Sequence, residues 1–235
     1  MQQDGQRIHP RERLDCAIEL LSGAQVVADV GCDHGRLSCA LIQRDLAQRC
    51  IAIDISEPSL KKAERLIRQI GAQDRVETRL GDGLMPLAVG EADAIAILGM
   101  GGTLMAQILN IDPPLKGATK CVLQPMRAAE DIRRWLYERN YPVLDDCVVL
   151  DAGRYYQVFS VGQPKAQKQT LPEGWPNGCF SLGYTAFLRR EPLMKPLAEK
   201  MLATSRRKLR TQQADALHEQ AAQLERILEN WENEP

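Results

Sequence analysis

Three stretches of this chain place carboxylates where a strand would end. The first is Asp29-x-Gly31-x-Asp33-x-Gly35. An apolar run, Val26–Val30, precedes it, and Leu37, Ala40 and Leu41 follow at helical spacing. Strand, tight glycine turn and helix start form the arrangement that offers backbone N–H groups to a ligand at a strand's carboxyl end. The second is Asp54, which closes Ile51-Ala52-Ile53 and is followed by Ile55. A carboxylate about twenty residues beyond a glycine turn can take the ribose hydroxyls of a nucleoside. The third is Asp82 in Gly81-Asp82-Gly83, after Val76–Leu80. It is a carboxylate offered at a third strand's end, or an ordinary Asp-Gly turn. The glycine order is not the dinucleotide pattern G-x-G-x-x-G, because Asp33 stands where a middle glycine would be. A second carboxylate repels phosphates, so the turn suits a ligand without pyrophosphate. The bland alternative is a plain strand-to-helix turn.

Two further loops follow apolar runs. Ala92–Leu98 leads into Gly99-Met100-Gly101-Gly102, where three glycines in four residues imply a close backbone approach. The loop either shapes a slot for a flat substrate or serves packing. Lys120–Leu123 leads into Gln124-Pro125-Met126, and Gln124 is placed to hydrogen-bond a base. His34 can donate to a carboxylate or phosphate, or can be satisfied by backbone. Asp33 is the candidate for the reacting side of the site, with capping of the next helix as its alternative. Arg7, Arg11 and Arg13 lie on or beside a helix over residues 12–22, as a solvated face or as a basic rim to the glycine turn.

These residues need a scaffold. The 235 residues suffice for one sizeable α/β domain and a small addition. Seven strands are predicted: five alternating with helices, then Val143–Leu150 and Tyr155–Val161 as an antiparallel edge pair around Asp151-Ala152-Gly153. A helix capped by Ser56, with Pro58 in its first turn, runs to Gly71. Residues 1–163 form the domain, 164–186 a Pro- and Gly-rich linker, and 187–235 a helical arm. Within the arm, Leu217, Ala221, Leu224, Leu228 and Trp231 alternate steps of four and three, as in a coiled-coil seam. The predicted break near Thr211 to Asp215 makes two helices, with one long helix as the alternative. Arg206, Arg207, Lys208 and Arg210 are the densest basic cluster, either a solvated face or a grip for a phosphate backbone. The formal net charge of −1 gives no global basic field, so nucleic-acid binding would need such a local patch. The seven cysteines show no C-x-x-C pair and read as buried reduced thiols, with no metal ligand set. The polar beginning and the lack of a long apolar run lead us to expect a cytoplasmic protein with no membrane partner, a monomer or weak dimer.

The glycine turn resembles the first motif of S-adenosylmethionine (SAM) methyltransferases. The chain as a whole is similar to the TrmK family, bacterial tRNA methyltransferases acting on N1 of adenine 22. The resemblance rests on RL at 13–14, ADVGCDHGRL at 28–37, GDGL at 81–84, GEADAIAILGMGG at 90–102, LQP at 123–125, IRRWL at 132–136 and AGRYYQVFSV at 152–161. It implies an α/β fold, the Rossmann-like sheet of class I SAM methyltransferases with a C-terminal coiled-coil arm. It implies SAM as cofactor, held by Asp29, Gly31, Gly35, Asp54, Ile55, Gly81, Asp82, Gly83 and Gly99. It also implies tRNA as substrate, met by Arg13, Met100, Gly101, Gly102, Pro125 and the arm's Arg206, Arg207, Lys208 and Arg210, with Asp33, His34 and Gln124 at the reacting atoms. Four positions depart from the family: Cys32 replaces its usual Ser, Gly35-Arg36 its Ala-Tyr, and Met126 its Asn.

Overall fold

The structure is a computed structural model that describes residues 13–167, 170–171, 175–176, 178–212 and 214–233. Arg7 and Arg11 of the expected basic rim lie outside the described residues. The described chain builds one mixed sheet from β1 (Val26–Val30), β2 (Arg49–Asp54), β3 (Val76–Leu80), β4 (Ala94–Gly101), β5 (Lys120–Arg127), β6 (Val143–Asp151) and β7 (Arg154–Gly162). Their order in space is β3-β2-β1-β4-β5-β7-β6. The first five are parallel, and β7 inserts antiparallel between β5 and β6.

The apolar runs form central strands because both of their faces are covered. Val27, Ala52 and Ala94 face one layer, with α1 (Arg13–Leu20), α2 (Arg36–Gln43) and α3 (Glu57–Gln69). Ala28, Val30, Ile51, Ile53, Ile95 and Ile97 face the other, with α4 (Gly102–Leu109) and α5 (Ala129–Glu138). Ser56 caps α3 through its Oγ, which accepts from the Ser59 N–H at 3.4 Å, and Pro58 stands in the first turn. Strict alternation of strand and helix fails once. Between β3 and β4 the described chain makes turns around Leu84–Pro86 instead of a helix, and Leu84 and Leu87 plug the core there.

The cysteine expectation is corrected at one pair. Cys16 on α1 and Cys147 on β6 are joined as a disulfide, while Cys32, Cys39, Cys50, Cys121 and Cys179 are free and buried. Spacing could not reveal the pair, because 131 residues separate its members and only the packing of α1 on the β6–β7 edge brings them together.

The C-terminal region is α6 (Tyr184–Leu188), α7 (Met194–Leu209) and α8 (Asp215–Asn233). The predicted break is present. The pairs Lys195–Glu232 and Arg206–Glu225 make α7 and α8 antiparallel. The seam of α8 uses Ala221, Leu224 and Ile227, which are buried, with Leu228 and Trp231 half-buried. The hairpin is not a free projection. Trp175, Cys179, Leu182 and Phe187 form one apolar cluster with α7, α8 and Val148 of β6, so the later part of the expected linker is packed, while residues 165–167 and 170 are exposed. Among the described residues no helix is long and apolar enough to cross a membrane, and no group of three or more side chains suits a metal ion.

Candidate active site

The chain leaves β1 for β2 and β3 on one side and returns to β4 on the other. Connections diverge there, and in open α/β sheets the crevice at such a point is the usual place for a ligand. A cleft of about 900 Å³ opens at this point. Its walls are the ends of β1 to β4, with Leu104 and Ile108 from α4, Gln124 from β5, Arg13 and Leu14 from α1, and Asp151 from β6.

Gly31, Asp33 and Gly35 all have positive φ, at 72°, 47° and 68°. Left-handed backbone at every second residue curls the turn back over the sheet, and the aspartate is the costly member of the three. Asp54 holds it there. Its Oδ2 accepts from the Asp33 N–H at 2.9 Å and its Oδ1 from the Ser56 N–H at 2.8 Å. The Gly31 and Cys32 N–H groups both donate to the Ile53 carbonyl. At Gly31 the positive φ is what calls for glycine, since a Cβ there would meet only the movable end of the Met100 side chain. The Asp33 side chain is exposed, and its Oδ2 lies 2.5 Å from His34 Nδ1. The helix-cap alternative for Asp33 is ruled out, since the N-cap of α2 is Gly35, with no side-chain hydrogen bond.

Asp29 is buried below the turn, where its Oδ2 accepts from the Ser38 hydroxyl at 2.8 Å and the Ser38 N–H at 3.3 Å. Burial outweighs those two hydrogen bonds and raises its pKa from 3.8 to about 6. A carboxyl raised on folding stabilises the fold fully below pH 3.8, and that contribution is lost as pH rises through about 6. The whole effect amounts to at most about 3 kcal/mol, as each pH unit corresponds to about 1.4 kcal/mol. Asp29→Asn keeps an acceptor for Ser38 and carries no charge. It is therefore expected to raise the thermal midpoint at pH 8, with the gain shrinking toward pH 4. A pH-independent difference in melting curves would contradict this.

Most residues singled out from the sequence meet in this one cleft. Asp29, Gly31, Asp33, His34, Asp54, Ile55, Gly81, Asp82, Gly83, Gly99, Met100, Gln124 and Arg13 all line it. Four do not. Gly35 packs against Ala63 of α3, and Pro125 is buried in β5. Gly102 begins α4 with no room for a Cβ beside the Ala128 carbonyl, and Gly101 faces the Arg127 side chain. Gly102 is thus a packing position between β4 and α5, while Gly99 and Met100 of the same loop line the cleft. Gln124 is buried, and its Nε2 donates to the Pro125 carbonyl at 3.0 Å and to Met126 Sδ at 3.6 Å. The cleft also takes residues the sequence reading passed over as site members. Arg36 carried a signal, as a departure from the family pattern. Asp151, Leu104 and Ile108 carried none beyond hairpin turn and helix periodicity.

A seven-stranded sheet with an antiparallel β7 and an acidic cleft at the β1/β4 divergence defines a Rossmann-like methyltransferase domain. The family model described as "Methyltransferase domain" matches residues 11–159. The chain is 36% identical over 149 residues to the tRNA (adenine(22)-N(1))-methyltransferase of Bacillus subtilis, a match covering 63% of each protein. That match thus spans less than two thirds of the relative's length. The crystal structure of the B. subtilis M1A22 tRNA methyltransferase TrmK superposes with a TM-score of 0.73 at 25% identity, covering 94% of this chain and 96% of that one. The fold is also that of M. capricolum TrmK solved with S-adenosyl-homocysteine, with a TM-score of 0.78 at 20% identity, covering 95% and 99% of the two chains. The chain belongs to the methyltransferase-domain family.

Proposed function

We propose that this protein transfers the methyl group of SAM to N1 of an adenine in tRNA, adenine 22 as in its Bacillus subtilis relative. The reading is carried by one observation. The acids suited to a cationic nucleoside, Asp29, Asp54 and Asp82, share a single cleft with Asp33, Gln124 and Arg13. That cleft fits SAM. Its carboxylates match a sulfonium and an ammonium, Asp54 suits the ribose, Asp82 the adenine amine, and Ile55 and Leu104 offer apolar surface to the ring. A cation beside Asp29 would favour its charged form and offset the cost of its burial.

SAM supplies an electrophilic methyl group on a positively charged sulfur. The nucleophile, N1 of adenine, already carries its lone pair, so the protein's task is alignment rather than proton removal. The purine gains positive charge as the new bond forms. The exposed Asp33 carboxylate lies on the cleft wall, where it stabilises that charge. At about 4 Å and an effective dielectric near 20 the contact is worth up to roughly 4 kcal/mol. The His34 contact at 2.5 Å fixes the orientation of that carboxylate.

The target base has to leave its stack, at a cost of a few kcal/mol that phosphate contacts elsewhere must supply. The basic end of α7 is the assigned source, on a coiled-coil arm of a cytoplasmic enzyme acting as a monomer or weak dimer. Because this hairpin shares an apolar cluster with β6, deleting residues 187–235 would expose core and blur the result. Charge reversal is cleaner. Arg206 is paired with Glu225, so Arg207, Lys208 and Arg210, all exposed, are the residues to change. Their replacement by Glu is expected to weaken tRNA binding at least about tenfold in low salt and to flatten its salt dependence, with SAM affinity unchanged. Unaltered tRNA binding in a filter assay would remove the patch from the interface.

The function itself is tested by incubating the protein with SAM and unmodified tRNA transcripts and analysing the digested nucleosides by mass spectrometry. The expected product is 1-methyladenosine at position 22. SAM binding without any methylated nucleoside would overturn the reading.

A further inference from the structure

We propose that Arg13 is the platform on which the target purine stacks, and that Asp151, Tyr156 and Met126 are positioning residues that hold it flat; the inference rests on the function proposed above. Arg13 opens α1 and lines the cleft. Its Nε donates to Asp151 Oδ2 at 2.8 Å, and its Nη1 to Met126 Sδ at 3.3 Å. The guanidinium carbon sits 4.3 Å from the centre of the Tyr156 ring. Two edges of the guanidinium plane are therefore fixed, and one face rests on an aromatic ring. Among the described residues Arg13 also lines the cleft, where a planar ligand would meet its opposite face.

Charge and geometry favour a base over a phosphate at this position. Asp151 neutralises the guanidinium, which makes it a poor free cation, whereas a delocalised plane stacks well on π-systems. The Arg13 and Asp151 side chains are 36% and 31% exposed, so their ion pair contributes orientation more than stability. The residue at 126 gains a meaning here. Gln124 Nε2 contacts the same Met126 sulfur, at 3.6 Å. One thioether thus positions both groups that would meet the purine, Gln124 at its edge and Arg13 at its face. The sequence departure at 126 changes how the pocket is braced and leaves the reading of the base to Gln124.

The test uses the full-length protein, SAM and a tRNA transcript, with a second transcript carrying 2-aminopurine at the target position to report extrusion by its emission. Arg13→Leu is expected to lower kcat about tenfold or more, the scale of one lost base stack. Arg13→Lys should not restore it, because an ammonium is not planar. Asp151→Asn should lower kcat severalfold, by about the same factor as Tyr156→Ala, with KM for tRNA within about twofold of wild type, while Tyr156→Phe behaves as wild type. The 2-aminopurine emission should fall in step with kcat, whereas SAM affinity stays unchanged and circular dichroism shows each variant folded. Full recovery in Arg13→Lys, or wild-type turnover and emission in Arg13→Leu and Asp151→Asn, would overturn the platform. A wild-type protein that methylates no tRNA would instead sink the functional reading, and the platform with it.

Discussion

Asp54→Asn is expected to lower SAM affinity by about one to two orders of magnitude, although it changes only one oxygen to an amide. Both oxygens of Asp54 accept from backbone N–H groups, Oδ2 from Asp33 and Oδ1 from Ser56. An asparagine has one acceptor oxygen, so its NH₂ would face one of those N–H groups head on. The displaced partner is either Ser56, which begins the turn after β2, or Asp33, whose φ of 47° depends on outside support. Each unpaired donor costs about 1–3 kcal/mol, and a charged acceptor for the ribose is lost as well. Asp54→Ala should behave similarly, with both N–H groups unpaired. The measurement is calorimetric titration with SAM, alongside circular dichroism to check that the sheet is intact. Wild-type affinity in Asp54→Asn would remove the double-acceptor role and the ribose contact together.

The second large effect lies away from the cleft. Asp146→Ala is expected to destabilise the protein by about 3–5 kcal/mol, the usual cost of removing one partner of a buried ion pair. Asp146 is 1% exposed and Arg133 of α5 is 5% exposed. Arg133 Nη2 donates to Asp146 Oδ1 at 3.4 Å and to Gln157 Oε1 at 3.1 Å, and its guanidinium stacks over Phe159. Its Nε is buried without a hydrogen-bond partner among the described residues, so this charge has little to fall back on. Asp146 also accepts from the Thr185 hydroxyl and, at 3.3 Å, from the Ala186 N–H at the start of α6. Gln157 in turn donates to the Ser181 carbonyl at 2.8 Å. One buried polar hub therefore ties α5, β6 and β7 to α6 and to Ser181 before it. Urea unfolding should show a lower midpoint, and limited proteolysis should open the segment between β7 and α7 first. Replacing both charges, as in Arg133→Met with Asp146→Leu, should recover much of the loss, because no lone charge then remains buried. A single variant within about 1 kcal/mol of wild type would contradict the hub.

What the sequence determined by itself was local. Apolar runs such as Val26–Val30 and Ile51–Ile53 declared buried parallel strands, because strands covered on both faces need no alternation. Acids and glycines placed directly after those runs declared a strand-end site, because parallel strands bring their carboxyl ends to one edge. Ser56 and Pro58 marked a helix start, and Thr211 to Asp215 a break, for reasons contained within a few residues. What only the tertiary structure decided depended on partners distant in the chain. The room at Gly102 is set by the Ala128 carbonyl, and that at Gly35 by Ala63, so slot and packing glycine looked alike in sequence. The pairing of Cys16 with Cys147 and the bracing of Arg13 by Asp151 each join α1 to β6 across more than a hundred residues. The docking of the C-terminal hairpin follows from its apolar cluster with Val148, and the tie of α6 to β6 from Asp146, whose burial beside Arg133 no local pattern announces. Hydrophobic periodicity reports which face of an element is covered; it does not say by what, and at this cleft the covering element decides which side chains face the ligand.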